Sequence, residues 1–240
     1  VLAVLYLIPC PIAEEALHTI PPYVQEIARN LDVFLVERAK TARHFIKSLG
    51  PARSIQEMVF VEMERGTEEA EAAFLAAVAA GKDVGVLSEA GCPGVADPGA
   101  AIVALAHRKG VKVAPLTGPS SLLLALMASG MNGQRFTFHG YLSPKRVELA
   151  GDLRRIEKLS AQNDQTQLFI ETPYRVQMVL EVALQSLHPQ TLFGVAQDLS
   201  GGKEFTCTLS VREWGKSGVK TLEKLPAVFM LYQSPAKRNS

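Results

Sequence analysis

Short, unbroken runs of apolar and β-branched residues, separated by longer segments with helical spacing, constrain this chain more than any other feature. Such runs occupy residues 5–8, 33–36, 84–87 and 111–114, and later 167–170, 192–196, 205–211 and 227–232. Several lack a polar alternation, the pattern of strands covered on both faces. Between them a helix is expected over 68–80. Thr67 can cap it, Glu68 and Glu69 complement its positive end, and Ala70, Phe74, Ala77 and Val78 form its apolar face. Gly81 supplies its left-handed stop. A second helix is expected over 99–109, ending on His107, Arg108 and Lys109 before Gly110. A third follows Pro119 with 122–127 buried. The charged stretch 146–158 reads as helical, and 162–165 as a polar loop. The pairs Gly201–Gly202 and Gly215–Gly218 mark turns in a more antiparallel region. Strand–helix alternation in the first part predicts a parallel sheet, and the later part reads as mixed. The expected fold is therefore α/β with two domains, 1–133 and 134–240.

At 240 residues and 48% hydrophobic composition, the chain can bury one large core or two modest ones. A net charge of +1 is not the strong basic excess of a dedicated nucleic-acid binder, so any RNA contact has to come from local basic patches. Cys10, Cys92 and Cys207 form no C-x-x-C pair, which argues against zinc and redox motifs and suits a reducing cytoplasm. The apolar run 1–11 is too short to span a membrane and has no basic start for a signal peptide. It reads as a buried first strand.

Two loops carry the chemistry. The first is Ser88-Glu89-Ala90-Gly91-Cys92-Pro93-Gly94-Val95-Ala96-Asp97-Pro98-Gly99, which follows a strand and opens a helix. Ligands of open α/β sheets bind beyond the carboxyl ends of strands, and glycines there let backbone approach a ligand. An ordinary turn-rich connection would read the same way. The second loop is Pro115-Leu116-Thr117-Gly118-Pro119-Ser120-Ser121, where Pro119 suits a first helical turn and free N–H groups could meet a polar ligand. It is not a G-x-S-x-G nucleophile elbow, because Leu122 stands at the final glycine. Ser120 and Ser121 therefore read as helix-start residues that could also touch a ligand. There is no G-x-G-x-x-G after the first strand and no G-x-x-x-x-G-K-[ST]. The five histidines show no metal-ligand spacing, so no metal is expected.

These segments, in order and over nearly the whole chain, resemble the tetrapyrrole methylase superfamily. They are most similar to its small-subunit ribosomal RNA cytidine-2′-O-methyltransferase branch. The branch's P-T-P-I-G reads Pro9-Cys10-Pro11-Ile12-Ala13, and its S-D-A-G-x-P-x-x-x-D-P-G reads Ser88-Glu89-Ala90-Gly91-Cys92-Pro93 with Asp97-Pro98-Gly99. Its P-G-P-S-A and S-A-S-G-L read Thr117-Gly118-Pro119-Ser120-Ser121 and Met127-Ala128-Ser129-Gly130-Met131. Its F-x-G-F-L-P reads Phe138-His139-Gly140-Tyr141-Leu142-Ser143, and its Y-E-A-P-H-R reads Ile170-Glu171-Thr172-Pro173-Tyr174-Arg175, preceded by Phe169. The departures are concentrated elsewhere. E-D-T-R becomes Glu37-Arg38-Ala39-Lys40, and R-E-L-T-K becomes Gln197-Asp198-Leu199-Ser200-Gly201. The sequence also stops soon after the run 227–232, without the extension common in that branch.

The resemblance implies two α/β domains with S-adenosylmethionine held between them. It implies a cofactor set of Pro11, Ser88, Glu89, Ala90, Gly91, Val95, Asp97, Gly118, Ser120, Ser121 and Glu171. It also implies a cytoplasmic homodimer that transfers a methyl group to a ribose 2′-oxygen of small-subunit ribosomal RNA. No catalytic base stands out; Glu37, Arg43, Glu171 and Arg175 are the candidates, with Asp198 and Lys203 on matching segments. Taken singly, each reads more readily as a surface or interdomain ion-pair residue. A tetrapyrrole C-methyltransferase and a non-catalytic S-adenosylmethionine-binding module are the alternatives.

Overall fold

A strand turns successive side chains to opposite faces, so a strand buried on both sides needs apolar residues at every position. The computed structural model describes residues 3–63, 67–217 and 221–235. In it β2 (Val33–Val36) and β4 (Val84–Leu87) meet that condition, with every residue buried. They lie inside a parallel sheet with β1 (Val4–Ile8), β3 (Val59–Glu62) and β5 (Lys112–Pro115), in the order β3-β2-β4-β1-β5. The alternation sorts side chains between two cores. Ile8, Phe34, Val36 and Leu87 pack with α1 (Pro22–Arg29) and α2 (Ala39–Ser48). Leu5, Leu35, Val84 and Val86 pack with α3 (Thr67–Ala79) and α4 (Ala100–Arg108). Gly85 faces the first core, where a β-carbon would come within 2.8 Å of Ile8 Cδ1.

The chain divides by its contacts into Val1–Ser120 and Ser121–Ser240. The second unit holds α5 (Ser121–Ser129) and a sheet of β6 (Phe136–Tyr141), β7 (Thr166–Glu171), β8 (Leu192–Gln197), β9 (Phe205–Ser210) and β10 (Ala227–Tyr232). Its order is β6-β7-β10-β8-β9. Among the described residues β6 pairs with β7 in parallel, and the other pairs are antiparallel. The helices α6 (Arg146–Asn163) and α7 (Val176–Ser186) cover one face, over stacked Phe169, Phe229 and Phe193. There Trp214, on α8 (Val211–Trp214), donates from Nε1 to the Phe193 carbonyl at 2.7 Å. On the other side α5 packs against β8, β9 and β10. That packing explains why the contact division falls before α5, whereas the sequence places it at 133/134, after the helix.

Several expectations are revised. The edge strand β3, the strand β6 and the helices α1, α2 and α7 complete the alternation beyond the runs read from sequence. The run 205–211 loses Val211, because the last strand residue, Ser210, caps α8 in a reciprocal capping box with Glu213 and Val211 begins that helix. Burial of 122–127 holds for Ala125 and Leu126, but Leu123 is 53% and Met127 78% exposed. A helix that is apolar all round can offer only one side to its sheet. The helix at 146 runs on to Asn163 and ends where Asp164 adopts φ +52°. The capping side chain of Thr67, and Gly218, lie outside the described residues. Among the described residues, no helix is long and apolar enough to cross a membrane.

The tight first core gives a direct test. Gly85→Ala would bring a β-carbon to 2.8 Å from Ile8 Cδ1, 3.0 Å from Phe34 Cδ1 and 3.1 Å from Leu31 Cδ1. Overpacking of this kind costs about 1–3 kcal/mol. Urea unfolding should show that loss; an unchanged midpoint would mean that Ile8 and Leu31 can yield.

Candidate functional site

In a parallel sheet each strand delivers its following loop to the same edge. A crevice opens where neighbouring connections leave in opposite directions. That point lies between β4 and β1: the chain leaves β1 towards β2, beyond β4, and leaves β4 towards β5, beyond β1. The loops after these two strands are joined there. Cys10 N donates to the Gly91 carbonyl at 2.9 Å and Gly91 N to the Cys10 carbonyl at 3.0 Å. Gly91 holds φ +70°, a conformation that side-chain-bearing residues rarely adopt. The loop after β5 closes on the same place. Gly118 lies so close to Pro9 that a β-carbon would be 2.2 Å from Pro9 Cγ. Thr117 N donates to the Tyr23 hydroxyl at 3.1 Å, and the Cys92 thiol meets the Pro119 carbonyl at 3.4 Å.

Three carboxylates converge on these loops. Glu37 follows β2; its Oε2 accepts from Glu89 N at 3.0 Å, while its own N–H donates to the Leu87 carbonyl at 3.1 Å. Glu89 Oε1 accepts from the Thr41 hydroxyl at 3.1 Å, and its Oε2 lies 3.5 Å from Arg38 Nε. Asp97 is pushed up to about 6, first by burial and then by the charge of Glu37. Glu89 adds to this and a hydrogen bond from Ser88 opposes it. The Cys10 thiol is pushed up to about 12 by burial, then by Asp97 and Glu37. It therefore stays protonated and is no nucleophile. Among the described residues no cluster of His, Cys, Asp or Glu is arranged to hold a metal ion.

The first unit thus brings together Pro11, Ser88, Glu89, Ala90, Gly91, Asp97, Gly118 and Glu37. Ser88 is buried, and its single hydroxyl proton serves either the Ala90 carbonyl, at 3.1 Å, or the Asp97 carboxylate. Val95 sits on the turn, 48% exposed, and Ser120 is half-buried at the end of the loop after β5. Arg43 is not among these loops: it is exposed on α2 with its guanidinium 5.3 Å from the Phe60 ring centroid.

Ser121, Glu171 and Arg175 belong to the second unit. Glu171, 3% exposed at the end of β7, accepts from Thr172 N at 2.7 Å through Oε1. Its Oε2 lies 3.0 Å from Arg175 Nη2, which also donates to the Ser143 carbonyl at 2.8 Å. Arg175 Nε is buried without an acceptor among the described residues. This pair ties the segment after β6 to β7 and the start of α7.

The departures from the resembled pattern have local explanations. Arg38 is the N-cap of α2 and carries no side-chain acceptor for the helix. Glu62, from β3, supplies it instead, accepting from Ala39 N at 2.9 Å. Gln197 is buried and donates through Nε2 to the Glu223 and Leu225 carbonyls, both at 2.9 Å. A basic side chain in its place would be a buried charge. Asp198 holds a turn, accepting from Lys203 N at 2.7 Å. Sequence reasoning missed Cys10, Tyr23, Thr41 and Glu62 as site-building residues. Only Cys10 had a signal, its position inside the first matching motif.

A model of the tetrapyrrole (corrin/porphyrin) methylases matches residues 4–213. The chain is similar to the ribosomal RNA small subunit methyltransferase I of Vibrio cholerae, 29% identical over 197 residues, covering 82% of this chain and 65% of the relative. It is also similar to the protein of that name from Mesorhizobium japonicum, 31% identical over 196 residues, covering 82% and 63%. It spans less than two thirds of the length of these relatives. Its fold is like that of diphthine synthase, with a TM-score of 0.67 and 18% identity over 98% of this chain and 92% of the other. It is also like that of uroporphyrin-III-C-methyltransferase from Thermus thermophilus, with a TM-score of 0.57 and 16% identity over 97% and 93%.

The raised Asp97 carboxyl makes stability depend on pH. Its folded value, about 6, lies above the ordinary 3.8, so the native state holds the proton more tightly. Its contribution is fully favourable below about pH 4 and is lost as pH rises through about 6. Asp97→Asn should therefore raise the urea midpoint above about pH 7 and change it less below about pH 4. An equal change at both would show that Asp97 titrates normally.

Proposed function

The chain belongs to the tetrapyrrole (corrin/porphyrin) methylase family, and on that premise we propose that it is an S-adenosylmethionine-dependent methyltransferase acting on small-subunit ribosomal RNA. The observation that carries the cofactor is the joined pair of loops after β1 and β4. The backbone at Gly91 is bare, and a β-carbon there would point between Ile12 Cγ2, at 3.4 Å, and the Pro119 carbonyl, at 3.7 Å. Glu37, Glu89 and Asp97 stand around it, and carboxylates suit a ligand with sulfonium and ammonium cations. The residues present therefore fit the cofactor, with Pro11, Ser88 to Gly91, Val95, Asp97, Gly118 and Ser120 from the first unit as its holders.

When bound, the cofactor supplies a methyl group already activated on sulfur. The residues of this chain orient it and the acceptor for in-line displacement. A ribose hydroxyl attacks only as it loses its proton, so a carboxylate acceptor helps. Glu37 is already engaged by Glu89 N, and Glu171 by Thr172 and Arg175. Both serve better as fixed charges than as free bases, and Arg175 and Arg43 as cations that meet phosphate. Similarity to ribosomal RNA small subunit methyltransferases supports RNA as the acceptor, which in turn supports a cytoplasmic site of action.

The test is transfer of radiolabelled methyl to small ribosomal subunits from cells lacking the gene. Label in the ribosomal RNA, at a ribose, is expected. Label on a porphyrinoid instead would replace the acceptor. Gly91→Val should abolish cofactor binding by calorimetry while the urea midpoint changes far less; undiminished affinity would remove this loop from the site.

We also propose a homodimer. Leu123 and Met127, one turn apart on α5, are apolar and largely exposed. Light scattering should give twice the mass of one chain, and a monomer across working concentrations would refute it.

A further inference from the structure

The outward stripe of α2 is cationic without a counterweight. Lys40, Arg43 and Lys47 follow one another at three- and four-residue steps with His44 beside them, while Ala42 and Ile46 face the core. The helix contains no acidic residue, and among the described residues Lys40 and Lys47 have no carboxylate partner. Like charges at this spacing destabilise a helix by a few tenths of a kcal/mol per pair. The stripe borders a groove of about 1050 Å³, where Arg53 adds a further cation and Glu15 is the one carboxylate in the lining. Phe45 and Ile55 give the same groove apolar surface. Pro11 lines it too, next to Cys10, whose backbone is paired with Gly91.

We propose that this groove binds the sugar–phosphate backbone of a single-stranded stretch of the RNA substrate and leads it towards the loops after β1 and β4. The inference rests on the methyltransferase reading given above. From Lys40 to Lys47 the charges extend over about 10 Å of helix axis, so they match a ligand with repeated negative charge better than one isolated anion. An apolar lining beside a cationic rim is what an unpaired strand needs, since its bases bring flat apolar faces as well as phosphates. A groove that starts beside the cofactor loops has reason to hold the polymer that is to be methylated there. The contacts would hold the strand without reading its sequence.

The test compares the intact chain with K40Q/K47Q and with K109Q/K112Q, a control at the opposite edge of the sheet. Binding of a fluorescein-labelled single-stranded RNA is followed by anisotropy across a salt series. Cofactor affinity is measured by calorimetry, and methyl transfer to unmethylated small subunits in parallel. For K40Q/K47Q the slope of log K against log salt should fall by about 1.4, with affinity roughly 25-fold lower at ~0.1 M salt. Cofactor affinity should stay unchanged, and the control should bind like the intact chain. If the intact chain binds and methylates RNA but K40Q/K47Q has the same slope, the groove is not the RNA path and the methyltransferase reading stands. Equal losses in the control reduce the effect to net charge and overturn the groove. If the intact chain binds no RNA, or the groove captures an acidic polypeptide instead, the proposal is wrong. Methyl transfer to another acceptor would then decide the fate of the wider reading separately.

Discussion

The two backbone hydrogen bonds between Cys10 and Gly91 are what the site depends on. A parallel sheet brings the ends of β1 and β4 to one edge, but nothing in the sheet itself joins the loops that follow. The paired amides do so without using a side chain, and they satisfy polar groups that would otherwise be buried unpaired. Gly91 has to be bare because its φ is positive, a backbone conformation that side-chain-bearing residues rarely adopt. The close approach of Gly118 to Pro9 adds the third loop. Three strand ends are thereby locked into one backbone-lined surface, which is the kind of surface that meets a small polar ligand without rearranging.

Charge is distributed around this surface with a purpose that composition hides. A net charge of +1 averages over the whole chain and conceals a carboxylate cluster and a cationic stripe lying side by side in the first unit. Burial first, and then the charges of Glu37 and Glu89, push Asp97 out of the ordinary carboxylate range. The stripe on α2 begins just after Glu37, and Arg38 bridges the two by facing Glu89. Such adjacency suits a cationic cofactor on one side and a polyanion on the other. It also shows why whole-chain charge is a poor guide to partners.

The second unit is built on different terms. Its mostly antiparallel sheet is held by aromatic stacking and by polar side chains that are buried and satisfied, such as Gln197 and Trp214. The Glu171–Arg175 pair belongs with these. Removing one partner would strand a charge in a place where water cannot reach it easily, so the pair fixes geometry whatever else it does.

The buried strands, the glycine-bearing loops and the helix stops at Gly81 and Gly110 were legible in the sequence, because each follows from local chemistry. An unbroken apolar run has to be covered on both sides, and a left-handed turn selects glycine. What only the tertiary structure decided involves partners distant in the chain. The edge strand β3 is half-exposed, so its pattern is weak until β2 pairs with it. The helix α2 lacks a cap of its own, and Glu62 caps it from another strand. Leu123 and Met127 are as apolar as Ala125 and Leu126, and only the position of the sheet determines which are buried. The pairing of Cys10 with Gly91 joins residues some eighty positions apart through backbone atoms, which carry no residue identity and leave no trace in a sequence.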